Sequence, residues 1–211
     1  MLKFLFAILP SRLKIWVLRR NGSKVGRGCY IGLSILNARE IEIGDFVHVG
    51  HFNLIWRLKS LRLNSGSRIS MGNWITGATE GWFELGRNSA ITRFHFIEAS
   101  SNIKIGNNCI VAGRASHFFS HGISATNLDD RRSIQIGNWC YIGSSSRFVP
   151  GAGVSDFTFV GMGSVVTKQF TETYVLIGGS PACVKKNIPT EAIYFNRSHL
   201  PHAHHPADYK G

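Results

Sequence analysis

The chain has 211 residues, 44% of them hydrophobic, so the length fits one domain with enough apolar side chains to bury a core, and this excludes a disordered protein. Twenty-four Lys and Arg against 12 Asp and Glu leave a formal charge of +12. Partners should therefore be anionic, but the basic residues are scattered and form no nucleic-acid-binding signature, which argues against DNA or RNA.

The first 18 residues, MLKFLFAILPSRLKIWVL, are apolar but broken by Lys3, Pro10, Arg12 and Lys14. That leaves no run long enough to span a bilayer, and no small-residue cleavage site follows. Residues 1–20 are expected to form a basic apolar helix that either caps the core or rests on a membrane surface.

From Val25 to Val166 the dominant signal is a period of six. Ile136, Ile142, Phe148, Val154, Val160 and Val166 form an unbroken series. Triplets of the same spacing begin at Val25, Ile43, Leu63, Leu85 and Ile105, and of 21 slots only Asn37 and His117 are not large and apolar. Glycine follows the leading slot at positions 26, 32, 44, 50, 86, 106, 137, 143 and 161, which points to permissive backbone dihedrals at turns. Small residues, including Cys29, Cys109 and Cys140, occupy the slot four after the leader, so these cysteines read as buried small side chains. Eighteen residues in three short strands make one triangular coil, and coils stack in parallel at about 4.8 Å per rung. The expected architecture is all-β: a parallel β-helix over 21–178, with a short helical cap before it and a turn, short helix and tail over 179–211.

One excursion breaks the repeat, a loop over 112–135 containing His117 and His121. His117 falls six after Val111, in a slot that should point to the prism axis, whereas His121 lies beyond it at the corner where the loop departs. Asp129 and Asp130 follow and are candidates to orient an imidazole.

The segment IGNWCYIGSSSRFVPGAGVSDFTFVGMGSVVTKQF followed by GGSPACVKKN resembles the C-terminal half of hexapeptide-repeat acyltransferases, the galactoside, maltose, xenobiotic and polysaccharide O-acetyltransferases among them. The match covers about residues 103 to 188. It implies a left-handed solenoid, an exception to the usual right-handed crossover, assembled as a homotrimer with active sites between subunits. It further implies acetyl-CoA as acyl donor, no metal, and a histidine acting as general base on an acceptor hydroxyl. His121 fits through the pattern of an aromatic pair, a hydroxyl residue and His-Gly. His117 fits through its separation of 20 residues from Gly137, and both remain candidates. The resemblance assigns Ser144, Met162 and Gly163 to the pantetheine groove, Thr167 and Lys168 to the phosphate end with Lys185 and Lys186 adding charge, and Tyr141 to the acceptor pocket. Where the family usually carries a basic residue, this chain has Cys183.

The expected activity is acetyl-CoA-dependent O-acetylation of a sugar in polysaccharide or lipopolysaccharide biosynthesis, in the cytoplasm or peripherally at the membrane's inner face. Alternatives are an antibiotic acceptor, a γ-carbonic-anhydrase-like hydratase drawing on His95, His117 and His121, and a non-catalytic scaffold. The tail carries His199, His202, His204 and His205, read as a terminus without fixed structure.

Overall fold

A computed structural model describes residues 6–78 and 80–197; the histidines of the tail lie outside the described residues. The chain winds through about eight coils of a parallel β-solenoid. Each coil has a leading, a middle and a trailing face. Along the leading face the register runs Val25, Ile43, Leu63, Leu85, Ile105, Ile136, Val154, Phe170. These are the expected coil starts, with Phe170 adding an eighth.

The middle face aligns Ile31, Val49, Ile69, Ile91, Val111, Ile142, Val160 and Ile177 in a nine-stranded sheet. The trailing face aligns Leu36, Ile55, Ile75, Ile97, Phe118, Phe148 and Val166. Strands Ile35–Ile43 and Leu54–Leu63 carry hydrogen bonding around the trailing-to-leading corner, so those two faces form one 13-stranded sheet. The inward side chains of all three faces are buried.

The two slots that broke the period are register slips. The axis is filled by Leu36 and Phe118, and Asn37 and His117 point outward. The coil containing His117 spends one additional residue on its corner, where Gly113 and Ala115 both adopt positive φ. The expectation that His117 enters the axis is therefore corrected, and the polar imidazole stays outside an apolar prism.

The glycine column has a different cause from the one expected. None of Gly26, Gly32, Gly44, Gly50, Gly86, Gly106, Gly137, Gly143 or Gly161 has positive φ. What most of them lack is room: a Cβ on Gly106 would sit 2.5 Å from Gly137 O, and one on Gly50 would sit 2.0 Å from Ser70 O. The left-handed corner belongs to a neighbouring column that tolerates side chains, through Phe46, Asn88, Asn108, Trp139, Phe157 and Tyr174.

The helix Ser11–Arg20 closes the first coil. Leu18 and Lys14 are buried, the Lys14 ammonium donates to Gly32 O, and Arg19 donates to Val25 O and Gly26 O. At the other end, Val175–Gly179 and Ala182–Asn187 make an antiparallel hairpin. Residues 190–196, expected as a short helix, form successive turns instead, and Tyr194 and Phe195 pack on the middle face.

Candidate active site

The excursion is more compact than a loop over 112–135. His117–Phe119 is the trailing-face strand of the fifth coil, and only residues 120–133 leave the solenoid. They form an antiparallel hairpin, His121–Ser124 against Asn127–Arg131, with His121 opposite Arg131 and Gly122 opposite Asp130. Its base is anchored by Ser120, whose hydroxyl donates to Glu98 O and accepts from Ser101 N, and by Glu98 Oε2, which accepts from His121 N at 3.0 Å. Arg131 and Glu98 were not singled out by sequence, because each becomes relevant only once the hairpin folds over the neighbouring coil.

Within the hairpin, His121 Nε2 lies 3.3 Å from Asp129 Oδ1, and Arg131 Nε donates to the same carboxylate oxygen at 2.6 Å. Asp130 is turned away and holds Arg132 with two hydrogen bonds of 2.7 Å, which keep its carboxyl below the usual carboxylate range. The acidic pair is thus divided: Asp129 faces the imidazole and Asp130 fastens the hairpin stem. An imidazole that donates from Nε2 to Asp129 presents an unprotonated Nδ1 and can accept a proton there.

His117 sits on the trailing face, edge-on to Phe96 and Phe119, with Arg147 its neighbour on the next rung. His95, a candidate metal ligand by sequence, is 2% exposed and belongs to a polar ladder inside the middle-to-trailing corner. Asn73 N donates to Asn53 Oδ1, His95 N to Asn73 Oδ1, and Ser116 N to His95 Nδ1, leaving His95 Nε2 to bond Thr92 Oγ1. Both ring nitrogens are engaged, and burial lowers the His95 pKa to about 4. Among the described residues, no three His, Cys, Asp or Glu side chains converge as a metal site.

The residues assigned to the donor lie on three parts of the prism. Ser144, Met162 and Gly163 line the middle-to-trailing corner, where Met162 is exposed and a Cβ on Gly163 would meet nothing within 4 Å. Thr167 and Lys168 lie on the trailing-to-leading corner, two rungs beyond the His121 hairpin, with Pro150 between them packed near Gly122. Lys185 and Lys186 are exposed on the final hairpin, with Lys185 Nζ close to Gly179. Tyr141 lies apart from all of these on the middle face, stacked on Phe159 at 5.2 Å and edge-on to Tyr194 at 6.0 Å. Cys109 and Cys140 are buried and donate to Gly137 O and Ser155 O, and burial pushes the Cys140 thiol up.

Solved structures with this arrangement of coils include the polysialic acid O-acetyltransferase OatWY, with a TM-score of 0.56, 20% identity, and coverage of 89% of this chain and 96% of that one. The chain has the fold of the hexapeptide-repeat acyltransferases, a left-handed parallel β-helix. A second hexapeptide solenoid, the Bacillus cereus N-acyltransferase AntD in complex with dTDP-4-amino-4,6-dideoxyglucose and coenzyme A, aligns with a TM-score of 0.52 and 16% identity over 83% of this chain and 89% of that one. In sequence, the bifunctional protein GlmU of Acinetobacter baumannii is 24% identical over 189 residues, 77% of this chain. The chain spans about two fifths (39%) of the length of that curated relative. No family model matches the chain.

Proposed function

We propose that the chain is an acetyl-CoA-dependent O-acetyltransferase acting on a sugar hydroxyl, in polysaccharide or lipopolysaccharide biosynthesis, with His121 as general base. The observation that carries this reading is the His121–Asp129 contact of 3.3 Å on a hairpin projecting from a solenoid corner. Coenzyme A would supply the acetyl group as a thioester. His121 Nδ1 takes the proton of the acceptor hydroxyl as that oxygen attacks, and the imidazolium, stabilised by Asp129, returns the proton to the leaving sulfur. His117, beside Arg147 on the trailing face, is the alternative base and the control for it.

The chain's own residues suit the donor. The open Gly163 corner beside Met162 leaves space for a pantetheine arm, and the exposed Lys168, Lys185 and Lys186 supply charge for phosphates. Within one chain, the Gly163 corner and the His121 corner are separated by the trailing face. A neighbouring copy would bring one against the other, which supports a homotrimer with sites between subunits. The sugar acceptor rests on the family resemblance and on the saccharide-modifying proteins that share this fold. The work is placed in the cytoplasm, at the inner membrane face; among the described residues no helix is long and apolar enough to cross a membrane.

The test is mass spectrometry of acetyl-CoA incubated with the full chain and a panel of sugars, nucleotide sugars and lipid-linked saccharides. An acetyl ester should appear on one acceptor class and vanish with His121→Ala. Unchanged transfer in both His121→Ala and His117→Ala, or no transfer to any acceptor, overturns the proposal.

A further inference from the structure

The N-terminal end of the solenoid carries a surface that acetyl transfer does not use. Positions 1–39 hold eight of the 24 basic residues, Lys3, Arg12, Lys14, Arg19, Arg20, Lys24, Arg27 and Arg39, and none of the 12 acidic ones. The cap helix buries Lys14 and Leu18 against the first coil, so its outer face presents Arg12, Leu13, Trp16 and Arg20. Trp16 is 56% exposed with the Arg20 guanidinium 5.4 Å from its ring centroid. Among the described residues, neither Arg12 nor Arg20 has an ion pair. A Trp and Leu stripe flanked by arginines is the composition of a helix lying in a membrane interface, where the rings enter the acyl boundary and the guanidinium groups remain at the phosphates.

Beside this helix opens a cavity of about 600 Å3, walled by Ile8, Leu33, Phe52, Trp56 and Trp74. Ser34 and Asn53 in the wall already bond to each other within the corner ladder, so they offer little to a polar ligand. Ile8 is 67% exposed and Phe52 68%, a large apolar cost in water for a surface so rich in cations. The charge complements phosphate, and the lining complements hydrocarbon.

We infer that this end of the solenoid docks on an anionic phospholipid bilayer, with one lipid acyl chain seated in the cavity. Docking there would leave the His121 hairpin, four coils along the axis, standing off the surface by roughly 20 Å at about 4.8 Å per rung.

The experiment is co-sedimentation of the full chain with vesicles of phosphatidylcholine containing phosphatidylglycerol, compared with phosphatidylcholine alone, while coenzyme A binding is followed separately. Binding should need phosphatidylglycerol, weaken as salt rises, and fall about fivefold for each of Arg12→Gln and Arg20→Gln. Ile8→Asp, an exposed position whose change spares the core, should lower it roughly tenfold or more. Equal binding to both vesicle types, or none to either, overturns the proposal. Loss with the arginine variants but none with Ile8→Asp overturns the seated chain. A change of oligomeric state in Ile8→Asp with vesicle binding intact assigns the patch to contact between copies and overturns it as well. None of these outcomes depends on acetyl transfer, so the two proposals fail separately.

Discussion

His121 Nε2 lies 3.3 Å from Asp129 Oδ1, and Arg131 holds that same oxygen from the other side at 2.6 Å. The imidazole is therefore oriented by a carboxylate that is itself fixed, although both partners are well exposed, which keeps the coupling below that of a buried triad. His121→Ala should lower kcat about 10^2- to 10^4-fold, the range for a lost general base. Asp129→Asn should lower it roughly tenfold, since the base survives with a less favoured tautomer. Coenzyme A binding should be unchanged in both, read by titration alongside thiol release. Full activity in Asp129→Asn would remove the orienting role, and full activity in His121→Ala with loss in His117→Ala would move the base to the trailing face.

Two glycines with opposite surroundings separate crowding from dihedral cost. At Gly106 the backbone is in an ordinary conformation, but an added Cβ meets Gly137 O at 2.5 Å, and both coils are fixed by ladder hydrogen bonds. Gly106→Ala should cost about 3 kcal/mol, at the upper end for overpacking. Gly163 has φ of 70° and open space around its Cβ position, so Gly163→Ala should cost about 1 kcal/mol for the left-handed conformation alone. Denaturant midpoints of the two variants check the order.

The coil starts were legible because one apolar residue in six is a packing requirement repeated at every rung, and the structure places those residues in register. The slips at Asn37 and His117 were not, because a corner can absorb or lose one residue without altering the composition around it. The corner ladder through Asn53, Asn73 and His95 was invisible for a related reason: its members are 20 and 22 residues apart and look like surface polar residues until the coils stack. At the site, His121 and its acidic neighbours were readable as a cluster, but only the antiparallel pairing of the hairpin decides that Asp129 faces the ring and Asp130 does not. Tyr141 illustrates the reverse error of reading an aromatic residue as ligand-facing when its partners, Phe159 and Tyr194, come from later in the chain.

The register slip in the fifth coil has a direct measure. Phe118 is fully buried and stacks on Phe148 with centroids 4.7 Å apart, whereas His117 lies half-buried on the outer face. Phe118→Ala should cost about 3–5 kcal/mol through the cavity it leaves. His117→Ala should cost about 1 kcal/mol or less, as for a surface aromatic contact. Thermal melts in which His117→Ala is the more damaging would place the imidazole back on the axis.

The ladder histidine gives the fold a dependence on pH that the acetyl-transfer site does not share. His95 is neutral in the folded chain, with its pKa lowered to about 4 by burial, against 6.5 when unfolded. Between those values the unfolded chain binds the proton and the folded chain does not, so stability is full above pH 6.5 and falls as pH drops toward 4. The loss over that window is about 3 kcal/mol. His95→Asn should flatten the dependence, because Asn53 and Asn73 show that this corner accepts an amide whose oxygen receives the next backbone N–H. Urea unfolding at neutral pH and near pH 4.5 in both proteins provides the comparison. An identical acid-induced loss in His95→Asn would assign the effect to other groups and leave the His95 ring without a role in the pH response.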